Sequence, residues 1–363
     1  MGWQRKILRV NLTAGTCTHE PLNMTWAQQF LGSRGLATKY LMEEIDPKVD
    51  PLSPENKLII ATGPLTGTMA STGGRWTAVT KGALTGAIAA SNSGGQFGGE
   101  LKMAGYDLVI LEGRAPTPVY LFIEDDRAEL RDASHLWGRS VWEIEPAIKE
   151  AHDDPLIRIA SIGQSGEYGC RFACIVNDLH RAAGRSGVGT VMGSKQLKAI
   201  AVRGTKGVKP HDPAKFFAAV KTANEALATN KGRKGMTSDG TIAMMDVTGT
   251  FGALPTRNNR EVQFEGSSKL NAKTMKSPNE HGHTNLIQNA ACFACTIGCG
   301  RISHIDPQHF SVKDKPQYQK ASGGLEYETA YALGSAVGVD DMDAATYAGF
   351  LCNEYGREPI CFG

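Results

Sequence analysis

Leu58-Ile59-Ile60-Ala61-Thr62-Gly63-Pro64-Leu65-Thr66-Gly67-Thr68 opens with a short apolar run, rich in β-branched residues, and stops at Gly-Pro. Such a run bounded by turn residues reads as a strand. Working outward, comparable runs recur at 108–112, 119–124, 157–162, 172–176 and 197–202. Upstream, residues 6–12 alternate, turn at Thr13-Ala14-Gly15 and return through 16–20, which predicts a hairpin. Helical patterns fall between the runs at 26–31, 36–45 and 141–151. Strand and helix do not alternate regularly enough for a doubly wound sheet. The expected fold is an α+β N-terminal base domain with large mixed β-sheets.

Near Gly204-Thr205-Lys206-Gly207 the character changes. Residues 214–229 read as a long amphipathic helix with Phe216, Val220, Ala223 and Leu227 on one face, and 329–336 and 343–354 as further helices. The expected organisation is a base domain over 1–208, followed by an incomplete, mainly α-helical domain over 209–363. The polar, basic stretches 229–240 and 268–284 are expected to be mobile loops. With 363 residues the chain exceeds one small core. Its 41% hydrophobic and 21% charged residues exclude disordered and fibrous classes. Thirty-nine Lys+Arg against 37 Asp+Glu is too balanced to argue for a nucleic-acid or membrane-surface partner. No apolar run approaches a membrane span, and the start Met1-Gly2-Trp3-Gln4-Arg5-Lys6 leads into no signal-peptide core, so a cytoplasmic location is expected. In that compartment eight cysteines read as ligands, core thiols or reactive groups before disulfides.

Cys292-Phe293-Ala294-Cys295-Thr296-Ile297-Gly298-Cys299 is the sharpest chemical signal. Three thiolates within one turn-rich segment select zinc or an iron–sulfur cluster, and spacing alone leaves a Cys3His zinc site with His304 and a [4Fe-4S] cluster about equal. Two glycine-rich loops, Asn92-Ser93-Gly94-Gly95-Gln96-Phe97-Gly98-Gly99 and His180-Arg181-Ala182-Ala183-Gly184-Arg185-Ser186-Gly187-Val188-Gly189, could cup an anion or be mere turns. Gly187, Gly189 and Gly193 have the wrong spacing for a dinucleotide fingerprint. Arg75, after Gly73-Gly74, reads first as a surface charge. The carboxylates of Glu326-Tyr327-Glu328 read first as helix-dipole partners. There is no P-loop and no H-E-x-x-H, and Gly163-Gln164-Ser165-Gly166-Glu167 fails as a nucleophile elbow because Glu167 replaces the last glycine.

Together these segments resemble the aldehyde:ferredoxin oxidoreductase family of tungsten-pterin enzymes. The likeness runs from Arg9-Val10-Asn11-Leu12 through 58–68, Thr72-Gly73-Gly74-Arg75, Asn92-Ser93-Gly94-Gly95 and 99–107. It continues through 177–185 and 192–202 to the cysteine run and Glu326-Tyr327-Glu328. The resemblance implies two pterin dithiolenes holding one tungsten, or molybdenum in some relatives. It implies magnesium bridging the pterin phosphates through the backbone carbonyls of Asn92 and Ala182. Loops at Gly94, Gly95, Arg181, Gly184 and Arg185 would hold the phosphates. Arg75 would lie between pterin and a [4Fe-4S] cluster ligated by Cys292, Cys295 and Cys299, and Glu328 would move a proton or orient water. The implied reaction converts aldehyde and water to carboxylic acid, or the reverse. Electrons pass to ferredoxin or to an iron–sulfur or flavin electron-transfer subunit, in a homodimer or a hetero-oligomer. Family members are longer, so the resemblance also implies a C-terminally truncated chain, inactive alone, whose fourth cluster cysteine is missing. The alternatives are a non-catalytic remnant or subunit, and a relative acting on aromatic acyl thioesters. A helix that carries Glu-x-x-His for a bridging iron in some relatives reads Thr346-Tyr347-Ala348-Gly349-Phe350 here, so no such iron is expected.

Overall fold

The computed structural model describes residues 2–363. The first twelve strands are β1 (Lys6–Asn11), β2 (Thr16–Pro21), β3 (Leu58–Thr62), β4 (Trp76–Lys81), β5 (Ile88–Ser93), β6 (Leu108–Glu112), β7 (Val119–Glu124), β8 (Arg127–Asp132), β9 (Arg158–Ser161), β10 (Ile175–Asn177), β11 (Arg181–Ala183) and β12 (Leu197–Arg203). They form two six-stranded sheets, ordered β2-β1-β6-β3-β4-β5 and β11-β10-β9-β12-β7-β8. Each sheet is mixed and contains one parallel pair, β1 with β6 and β12 with β7. The expected hairpin is present as β1 and β2, paired from Lys6 opposite Pro21 to Asn11 opposite Thr16.

The opening run explains why the first sheet has no wet face at its centre. Successive side chains of a strand alternate between faces. Leu58 and Ile60 enter a core shared with Leu121, Ile123, Ile200 and Val202 of the second sheet. Ile59 and Ala61 pack on the opposite side against Leu36, Ala37 and Leu41 of helix Ser33–Glu44. Helices Phe97–Met103 and Val188–Ser194 supply Phe97, Leu101, Val191 and Met192 to the shared core. Helix Val141–Ala151 covers the outer face of the second sheet with Ile144 and Ile148. The α+β base with two large mixed sheets is therefore as expected.

The chain divides into two compact units. One comprises residues up to Ala223 with Cys292–Cys295 and Glu354–Arg357; the other comprises Asn224–Ala291, Thr296–Asn353 and Glu358–Gly363. The second unit is mainly helical, with a small sheet of β13 (Leu286–Ala290), β14 (Gly300–Ser303) and β15 (Ser322–Gly323). Its core gathers Ile242, Met245, Leu254, Leu270, Met275, Leu325, Ala330 and Ala345. Two readings are corrected. Residues 229–240 are not a mobile loop: they hold helix Lys231–Asp239, capped by Asn230, whose side chain accepts from the Arg233 amide. In the stretch 268–284, helix Ala272–Lys276 replaces part of the expected loop, capped by Asn271. Helix Pro213–Thr229 is as expected, but Ala223 of its predicted apolar face is exposed while Val220 is buried. Among the described residues, no helix is long and apolar enough to cross a membrane.

Candidate cofactor site

Three segments distant in sequence meet in the first unit. Asn177, at the end of β10, is 1% exposed and uses its whole carboxamide. Its Oδ1 accepts from Ser93 Oγ at 2.7 Å and from Trp76 Nε1 at 3.3 Å. Its Nδ2 donates to the Gly94 carbonyl at 3.0 Å and to Asp178 Oδ2 at 2.7 Å. Asp178 Oδ2 also accepts the Gln96 amide at 2.7 Å. Two side chains thus tie down both ends of the loop Gly94-Gly95-Gln96. Gly95 has φ +82, a conformation that glycine adopts freely, and a Cβ there would run into Asp178.

The cysteine segment lies on this loop. The Phe293 amide donates to the Gly95 carbonyl at 3.0 Å, and the Cys295 amide closes a turn onto the Cys292 carbonyl at 3.0 Å. A Cβ built on Gly94 would stand 2.7 Å from Cys292 Sγ. The absence of a side chain at residue 94 is therefore what leaves room for that sulfur. Cys292 and Cys295 are both half-buried.

Asn92 is the penultimate residue of β5, exposed, with its Oδ1 accepting from Thr77 Oγ1 at 2.5 Å. Ala182 sits mid-strand in β11 opposite Val176, and β11 packs beside β5. Arg181 and Gly184 are half-buried and Arg185 is exposed. Beside them burial pushes the His180 imidazole down to about 4, with the neighbouring Arg181 charge adding to the effect. Arg75 is exposed, and its backbone carbonyl accepts from Thr66 Oγ1 at 2.9 Å, which anchors the start of β4. Gly189 and Gly193 have a packing role: a Cβ on either would collide with the backbone of Cys174 or Gly166.

In the second unit, the stretch 296–299 is held from helix Lys231–Asp239. Arg233 Nε donates to the Thr296 carbonyl at 3.2 Å, and Thr237 Oγ1 donates to the Ile297 carbonyl at 2.5 Å. Arg301, 2% exposed, donates to Asn289 Oδ1 at 2.7 Å and to the carbonyls of Met236 and Thr237, both at 3.3 Å. Cys299 is half-buried. Glu326 forms the N-cap position of helix Tyr327–Leu333, and the Thr241 hydroxyl donates to its carboxylate while accepting the Tyr327 amide at 3.1 Å. Glu328 lies in the first turn, exposed. Asn177, Asp178, Phe293, Arg233 and Thr237 escape a sequence reading because their partners are distant in the chain.

A cleft of about 940 Å³ in the second unit is lined by His281, His283, His309, Asp306, Asp341 and Asp343. Its carboxylates are already engaged: Asp306 with Asn279, His281 and Gln308, Asp341 with His309 and Ala344, and Asp343 with Asn285 and Asp306. It offers structural knots rather than open ligands.

The family description "Aldehyde ferredoxin oxidoreductase, N-terminal domain" matches residues 7–204, and that for "domains 2 & 3" matches 218–363. The chain belongs to the aldehyde ferredoxin oxidoreductase family. It is 46% identical over 363 residues to a tungsten-containing aldehyde ferredoxin oxidoreductase of Pyrococcus abyssi, covering 100% of this chain and 57% of that protein. It is 31% identical to an aliphatic sulfonate oxidoreductase, WOR-like subunit, of Pyrococcus furiosus, covering 99% of this chain and 57% of that one. Among solved structures, the active site complex BamBC of benzoyl coenzyme A reductase with 1,5-dienoyl-CoA aligns at a TM-score of 0.83 and 27% identity. The alignment covers 99% of this chain and 54% of that one. This family member thus spans little more than half the length of the relatives it matches.

The residues present fit the family's groups. Three half-buried thiols within eight residues are the soft donors that an iron–sulfur cluster takes. His304, the zinc alternative's fourth ligand, is hydrogen-bonded through Nε2 to the Gln319 carbonyl at 2.7 Å. The glycine loop and the cationic side chains of Arg181 and Arg185 are of the types that suit dianionic phosphate.

Proposed function

We propose that this chain is the pterin- and cluster-binding part of a cytoplasmic tungsten-pterin oxidoreductase that interconverts aldehydes and carboxylic acids. The observation that carries the reading is the seat of Cys292 Sγ over Gly94, in a loop locked by Asn177 and Asp178. It puts a sulfur donor and an anion-suited glycine loop side by side. Bound tungsten or molybdenum bis-pterin would supply two-electron oxygen-transfer chemistry, with a [4Fe-4S] cluster as the one-electron outlet.

In this reading Cys292, Cys295 and Cys299 are three cluster ligands. Gly94, Gly95, Gly184, Arg181 and Arg185 would hold the pterin phosphates, and the backbone carbonyls of Asn92 and Ala182 would help to hold magnesium. Arg75, exposed just before β4, would supply positive charge to the pterin and the cluster. The Glu328 carboxylate, in the first turn of its helix, orients water or accepts a proton at Oε. Ferredoxin or a dedicated electron-transfer subunit takes the electrons.

Anaerobic isolation from tungstate-supplied cells, with iron, sulfide, tungsten and phosphate analysis, tests this. Iron and acid-labile sulfide are expected, and Cys295→Ser should lose most of the iron. Zinc in place of iron, indifferent to that substitution, would refute the reading. A panel of aldehydes and aromatic acyl thioesters with a viologen acceptor separates the two substrate classes.

A further inference from the structure

We infer that Asn177 and Asp178 are positioning residues that couple the glycine loop at 94–96 to the peptide carrying Cys292. As a role in cofactor placement it rests on the reading above; as a mechanical coupling it does not. Asp178 Oδ2 takes two donors, the Gln96 amide and Asn177 Nδ2, each at 2.7 Å. The Gly95 carbonyl, one residue before Gln96, receives the Phe293 amide at 3.0 Å. The cysteine segment is therefore hung on a peptide whose far side Asp178 holds.

The same aspartate begins the turn from β10 to β11, the strand with Arg181 and Ala182. Asp178 and Leu179 both adopt positive φ, +48 and +63, unusual for residues with a Cβ and sustained only where surroundings over-determine the backbone. The Asp178 carbonyl accepts the His180 amide at 2.8 Å, and the Leu179 carbonyl accepts Trp142 Nε1 at 3.3 Å. One short turn thus aligns both glycine-rich loops and, through Gly95, the first cysteine. The working element is the Oδ2 oxygen as a double acceptor; the Arg158 guanidinium pairs instead with Oδ1, at 3.9 Å.

Hydrogen exchange of the 363-residue chain tests the coupling. Asp178→Ala should speed exchange at Gln96 and at Phe293 on the order of tenfold, the loss of about one net hydrogen bond. Asp178→Asn, which keeps an oxygen in place, should stay within about twofold of the parent. Amides of β3 serve as the internal control. Faster exchange at Gln96 with Phe293 unmoved would overturn the coupling, as would a rise that includes β3. Equal damage from Asp178→Asn would also overturn it, by making charge the working element. In iron-loaded protein, Asp178→Ala should alter the electron paramagnetic resonance of the reduced cluster and Asp178→Asn should not. A parent chain without iron would remove the functional reading, while the exchange data still decide the coupling.

Discussion

Gly94→Ala puts the seat of Cys292 to a direct test. The added methyl would lie 2.7 Å from Sγ but 3.9 Å from the cysteine Cβ. Non-bonded heavy atoms rest at about 3.5–4.0 Å, so only the sulfur is in the way, by roughly 1 Å. The loop can yield, or the sulfur can. Moving the loop strains the hydrogen bonds from Asn177 to the Gly94 carbonyl and from Phe293 to the Gly95 carbonyl, roughly 0.5–1.5 kcal/mol each. Rotating Cys292 to its next staggered well costs below about 1 kcal/mol and carries Sγ roughly 3 Å away. Rotation wins. A metal–ligand distance tolerates only about 0.2 Å, so the fold should survive while the ligand is lost. The melting temperature should fall by no more than about 3 °C. Iron in anaerobically isolated protein should drop to the level of Cys292→Ala, and adding Gly94→Ala to Cys292→Ala should cost nothing further. Full iron with an unchanged spectrum would refute the reasoning. So would a large stability loss that Cys292→Ala fails to relieve.

Lys198 and Glu167 form a fully buried ion pair, with Lys198 Nζ also donating to the Arg139 carbonyl at 2.9 Å. Glu167→Ala should cost about 3–5 kcal/mol in urea unfolding, and Lys198→Met with Glu167→Leu should recover most of it. His180, held down at about 4 in the fold, takes up its proton more readily when unfolded. Its contribution is therefore complete above pH 6.5 and is lost as pH falls toward 4, by at most about 3 kcal/mol. A stability–pH curve should flatten over that window in His180→Gln. Arg233→Ala should make helix Lys231–Asp239 the first site of limited proteolysis, since the substitution removes the guanidinium hydrogen bonds to the Thr296 carbonyl; cleavage unchanged in position and rate would count against that anchor.

Local pattern was enough for much of this protein. Strand β3 was legible because its five buried residues lie between a polar stretch and Gly63-Pro64, and both faces of its sheet need apolar side chains. The cysteine run and the glycine loops stood out as patterns within a few residues, while spacing alone left zinc and cluster, and anion site and turn, open. The helix over Lys231–Asp239 was not: two glycines and a basic, polar composition give it little intrinsic propensity. Its order comes with hydrogen bonds to residues some sixty positions later, from Arg233 and Thr237 to the carbonyls of Thr296 and Ile297.

The sequence by itself determined the fold class, from short apolar runs and their turns, and the family, from the likeness of ordered segments along the whole chain. Only the tertiary structure decided which strands pair, β1 beside β6 and β12 beside β7, since pairing depends on long-range closure. It also decided that Arg75 and Glu328 stand exposed, a matter of what packs over a turn or a helix start. And it alone joined Asp178 to Gln96, 82 residues away, and Asn177 to Gly94, 83 away. A hydrogen bond between distant residues leaves no periodic trace in the chain, and it is such bonds that hold the glycine loop beneath Cys292.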